Sequence, residues 1–135
     1  MKKTSYLTVA LLSLLAFPAQ ADEGRELFDK YCIACHKIQG TPQLAPPIFG
    51  VINHVKAMYP EREAFIERVV AWVDNPNPND VLMPGAARRF GVMPKLGYPT
   101  EDVRKIAAFL YEHRIDLPEW YIEHYRQEHG KNPTR

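Results

Sequence analysis

Apolar residues recur at helical spacing in several separate stretches, most of them bounded by residues that start or stop helices. In residues 24–31 (GRELFDKY), Leu27 and Tyr31 share one face, and Gly24 and Phe28 form another such pair. In residues 60–74, Phe65, Val69 and Trp72 line one face, with Ile66, Val70 and Val73 beside it. There Pro60 suits a first turn, Glu61 and Glu63 suit the positive helix end, and Asn75-Pro76 stops the run. Val103, Ile106, Ala107 and Leu110 mark a third helix, with Thr100 as a good N-cap, Glu101 and Asp102 in its first turn, and an end near His113-Arg114. Residues 118–129 predict a further helix, opened by Pro118, closed by Gly130 and carrying Trp120, Tyr121 and Tyr125. Residues 75–80 (NPNPND) predict a proline-punctuated loop, and residues 81–99 show neither period. With no repeat and no credible strand, the pattern predicts an all-α fold of three to five short helices.

The N-terminus has a different pattern. Lys2 and Lys3 precede a stretch from residue 6 to 17 that is apolar apart from Thr8 and Ser13, and Ala19-Gln20-Ala21 follows. This is the layout of a secretory signal peptide cut after Ala21. The apolar run falls short of the roughly 20 residues that span a bilayer, which leaves a retained anchor as the alternative. No cysteine near the cut offers a lipid attachment point. The expected organisation is a cleaved signal at 1–21, one domain at 22–116 and a helical extension at 117–135. Cleavage removes Lys2 and Lys3 and turns the formal net charge of +1 into −1. That balance argues against nucleic acid or a membrane surface as partner, since phosphate recognition wants a basic face.

The chain has 2 cysteines, Cys32 and Cys35, with two residues between them. A structural disulfide across so short a loop would remove little unfolded-chain entropy. A thioredoxin-type redox pair is the other ordinary reading. His36, directly after the second thiol, favours a third. Cys32-Ile33-Ala34-Cys35-His36 is the c-type haem attachment pattern. Its spacing lets a single helical turn present both thiols to the two vinyl groups of one macrocycle, and brings the imidazole to the iron, for which it is a favoured ligand.

With its flanks included, the chain resembles class I c-type cytochromes of the bacterial periplasm. Gly24, Phe28 and Tyr31 match that family's glycine-and-aromatic N-terminal helix, which runs into the attachment motif and packs across a C-terminal helix. Residues 100–113 match the latter, with Tyr111 at its aromatic position. The resemblance implies a small cytochrome c fold around one haem c, covalently held by Cys32 and Cys35, in a periplasmic protein. Residues 45–50 (APPIFG) resemble the family loop whose proline backs the histidine; the match is Pro46, with Ala45 replacing the usual glycine. The Pro46 carbonyl would accept the His36 Nδ1 proton, a bond that orients the ring and raises its basicity.

The resemblance also implies a methionine sulfur opposite His36. Met93 precedes the last family helix by a short loop, as the family's ligand does, and Pro84-Gly85 lies upstream of it. Met83 and Met58 are the other methionines left after cleavage, both open to an ordinary reading as flexible core filler. His54, expected in a loop, is the rival for a bis-histidine haem. Trp72 is either core or a donor to a haem propionate through its indole N–H, and Arg88 and Arg89 either pair with propionates or are solvated. Both axial positions filled would leave no substrate site, so the expected function is electron transfer without catalysis. Its partners would be a reductase upstream and an oxidase or other terminal enzyme downstream. The alternatives are a subunit docked to a larger redox enzyme through the aromatic C-terminal helix, and a gas sensor with an open iron.

Overall fold

Helix α1 (Ala19–Tyr31) lies across α5 (Thr100–Glu112), and the two make the most extensive helix contact in the molecule. The computed structural model describes residues 19–113 and 117–133. Gly24 sits at the crossing. A Cβ there would lie 2.5 Å from the Lys105 carbonyl oxygen and 2.7 Å from the Phe109 Cβ. A side chain has no room at that point, so glycine brings the backbones together. Beyond the crossing, Phe28 packs on Phe109 with ring centroids 6.2 Å apart.

Between these helices run α2 (Ile48–Met58), α3 (Arg62–Asp74), a 3-10 turn (Pro78–Asp80) and α4 (Pro84–Phe90); α6 (Glu119–His129) follows α5. Among the described residues there is no strand, and no helix is long and apolar enough to cross a membrane. The all-α expectation stands, with six α-helices among the described residues where three to five were expected. The core gathers where α1, α2, α3 and α5 meet. Phe28, Phe65, Ile66 and Ala107 are almost fully buried there, with Ile48, Ile52 and Val55 contributed by α2. Lys56 ties α2 to α5 by donating to the Tyr111 carbonyl at 2.6 Å.

Several expectations need correction. Residues 48–58, with His54 and Met58, form a helix where a loop was expected. Ile48, Ile52 and Val55 do carry helical spacing, but α2 buries Phe49, Gly50 and Asn53 as well. An apolar distribution that wide, next to two prolines and a glycine, blurs the period. Helix α4 was missed because its seven residues bury no side chain. It begins with Pro84 at its first position and stops at Gly91, whose φ of 82° is left-handed. Thr100 is not the cap of α5: extended Pro99 takes that place, and Thr100 is already helical. Residues 78–80 close a 3-10 turn, with the Asn77 side chain accepting from the Asn79 N–H at 2.9 Å.

The C-terminal extension divides its aromatics. Tyr121 and Tyr125 are buried against Phe49 of α2, while Trp120 is half exposed. Gly130, at φ 65°, ends α6 in the left-handed conformation. The proposed signal peptide falls on residues 1–18, outside the described residues, and continues into the start of α1. The domain boundary at 116 also lies outside them.

Gly24→Ala should destabilise the protein in spite of alanine's better helix propensity. Propensity gains about 1 kcal/mol, whereas forcing apart a backbone contact costs about 1–3 kcal/mol and here lies near the upper end. Guanidinium unfolding should show a net loss of about 1–2 kcal/mol.

Candidate functional site

The chain leaves α1 without fully unwinding. The N–H groups of Cys32 and Ile33 both bond the Phe28 carbonyl, at 2.8 and 3.1 Å. Cys35 and His36 then donate to the Cys32 carbonyl at 3.1 and 2.8 Å. Residues 32–36 therefore form one compact turn, with both cysteines as free thiols. Burial and the neighbouring Cys35 push the Cys32 thiol up to about 11. A thioredoxin-type pair needs the opposite shift to generate its thiolate, so the environment of Cys32 argues against that reading.

His36 is fixed by the segment that opens α2. Its Nδ1–H donates to the Pro46 carbonyl oxygen at 2.8 Å, and the Ile48 N–H bonds back to the Lys37 carbonyl at 3.3 Å. Because a carbonyl only accepts, the proton must sit on Nδ1, leaving the Nε2 lone pair available as a ligand. Burial lowers the His36 pKa more than the Pro46 bond raises it, which favours the neutral imidazole that a metal requires.

Cys32, Cys35, His36 and Pro46 open onto one cavity of about 300 Å³. This volume lies at the lower edge of the range for small-molecule and cofactor sites, about 300–1,000 Å³. Phe28 and Tyr31 of α1, Ile52 and Val55 of α2, and Val69, Trp72 and Val73 of α3 line it, as do residues of α4 and α5. Its lining explains the broad apolar face of α3: Phe65, Ile66 and Val70 are buried, while Val69, Trp72 and Val73 face the cavity half-buried. Leu44, Val92 and Leu96 line it too and are exposed. An apolar space carrying two thiols and an oriented neutral imidazole has the donor set that a covalent haem needs.

Met93 and Met83 both line the cavity, whereas Met58 is exposed outside it. His54 does not line it: its Nδ1 bonds the Gly50 carbonyl at 2.8 Å and its ring faces α6. Arg88 and Arg89 are exposed on α4 and absent from the lining. Among the described residues the lining guanidinium is that of Arg68, which the sequence reading overlooked. Its guanidinium bonds the Asp80 carboxylate and carbonyl and lies 5.4 Å over the Trp72 ring. The four-residue interval between Arg68 and Trp72 on one helix was the available signal. Among the described residues, no three His, Cys, Asp or Glu side chains converge as a metal cluster.

Tyr98 was also overlooked. It stacks on Tyr31 with centroids 4.6 Å apart, and its hydroxyl donates to the Tyr31 carbonyl at 3.1 Å. Tyr31 in turn donates to Asp102 at 3.1 Å. The loop that carries Met93 is thereby tied to the residue just before Cys32. Tyr98→Phe should cost about 1 kcal/mol for the lost hydrogen bond. Tyr98→Ala, which also loses the stacked ring, should cost about 3 kcal/mol or more in chemical unfolding.

Comparison with known proteins agrees with this geometry. The family model for cytochrome c matches residues 21–113. A cytochrome c2 of Rhodopila globiformis is 31% identical over 88 residues, covering 61% of this chain and 78% of that protein. An uncharacterized protein of Aquifex aeolicus is 33% identical over 148 aligned positions, covering 90% of this chain and 95% of its own. No solved structure gives a significant match. A helical fold, an apolar cavity opening beside Cys-x-x-Cys-His and a family match over most of the chain lead to one conclusion: this protein belongs to the cytochrome c family, in its class I branch.

Proposed function

We propose that the protein is a periplasmic electron carrier built for one haem c, which Cys32 and Cys35 would hold through thioethers and His36 and Met93 would ligate. Membership of the cytochrome c family supports the coarser part of this reading, a haem-based electron-transfer role with covalent haem c. The observation that carries the finer part is the opening of Cys32, Cys35, His36 and Met93 onto one apolar cavity. When bound there, haem supplies a one-electron ferric/ferrous couple.

The chain's own residues do the rest. Pro46 holds the Nδ1 proton of His36 and so presents Nε2 to the cavity. Apolar walls from α2, α3 and α5 exclude water, which favours the less charged, reduced state. Met93 is favoured over Met83 because Gly91 and Gly97, at φ 82° and 71°, turn the Met93 loop on either side, and Tyr98 anchors it to Tyr31. Met83 instead serves as the N-cap residue of α4, and its carbonyl accepts the Ala87 N–H. Redox partners would meet the exposed Leu44, Val92 and Leu96 beside the cavity. Export to the periplasm rests on the signal-like residues 1–21.

Thioether ligation gives oxidised haem a weak charge-transfer band at the red end of the visible spectrum. Wild type, Met83→Ala and His54→Ala should retain it. Met93→Ala should lose it, bind carbon monoxide when reduced, and fall in potential. Loss of the band in Met83→Ala with retention in Met93→Ala would reverse the ligand assignment. Carbon monoxide binding by the reduced wild type would point to an open iron instead.

A further inference from the structure

Helix α6 stands apart from the core and the cavity. No α6 residue lines the cavity, and side chains rather than close backbone approach hold the helix to α2. Tyr121 meets Phe49 edge to face at 4.8 Å, and its ring covers Gly50. The Tyr121 hydroxyl is buried there without a hydrogen-bond partner among the described residues, so the contact is an imperfect one.

One turn along α2 from this contact, His54 meets α6 again. Its ring lies 5.7 Å from Tyr125 and 5.3 Å from His129, and Tyr125 and His129 are 4.2 Å apart. The His54 Nδ1–H donates to the Gly50 carbonyl on its own helix. From α6, the titratable groups facing it are His124, His129 and the Tyr125 phenol. Among the described residues, both histidines disfavour a charge on His54 and no carboxylate offsets them. Glu123 of α6 is already engaged by Arg126 at 2.6 Å and by Gln127 at 2.9 Å.

We propose that α6 is an acid-released clasp, closed on α2 while the His54 imidazole is neutral and opened when it takes up a proton. Opening would bare Phe49 and the Gly50 face of α2, next to the Pro46-Pro47 segment that supports His36. Burial, outweighing the Gly50 bond, sets the pKa of His54 in the closed state below the ordinary 6.5, and His129 and His124 lower it further. The open state therefore binds more protons, and closure is complete above pH 6.5 and weakens as pH falls below it. The clasp does not depend on which side chains ligate the iron.

Hydrogen exchange of the haem-loaded full chain, corrected for intrinsic rates, should test it at pH 7.5 and 5.0. Protection of residues 119–129 should fall at least about threefold at the lower pH, while α1 and α5 keep theirs. His54→Gln should remove most of that fall, and His129→Gln, at an exposed position, a smaller part of it. A wild-type fall below about threefold, or one that His54→Gln leaves intact, would overturn the proposal.

Discussion

The contact of α1 with α5 at Gly24 is the constraint on which the rest of the molecule depends. It brings two backbones to a separation that admits no Cβ, and so sets the line along which α1 runs into residues 32–36. Everything chemical follows from where that line ends. Phe28 is buried against Phe109 on the way, Tyr31 is pinned by Tyr98 and Asp102, and the next turn delivers two thiols and an imidazole to the cavity. A helix pair free to slide would carry the motif away from the walls supplied by α2 and α3.

The second constraint is how the cavity stays apolar and open at once. A chain this short builds a modest core of its own, and this one divides its apolar residues between packing and lining. On α3, Ile66 and Val70 pack, Val69, Trp72 and Val73 line, and Phe65 does both. Polar groups at the cavity are held in fixed roles: His36 by the Pro46 carbonyl and Arg68 by Asp80. The arrangement suits a large apolar cofactor, whose arrival would complete the core.

Much of this was legible in the sequence because it rests on local rules. The attachment motif, the face of α3, the start of α5 to within one residue and the glycine that ends α6 all follow from spacing, caps and helix stops. What escaped has physical reasons. Helix α2 is apolar over too wide an arc to show a period, and α4 buries nothing that would mark one face. Arg68 and Tyr98 acquire their roles from partners 12 and 67 residues away, and no local pattern announces such contacts. His54 read as a rival ligand while its segment read as a loop; α2 turns its ring toward α6.

The attachment chemistry decides whether the cavity holds what its walls suggest. Thioether bonds survive denaturation, whereas axial ligation alone does not. The denatured protein, purified from cells that mature c-type cytochromes, should keep its haem through acid extraction at the mass of residues 22–135 plus one haem. Haem released into the organic phase, or an intact Cys32–Cys35 disulfide in the recovered chain, would contradict it.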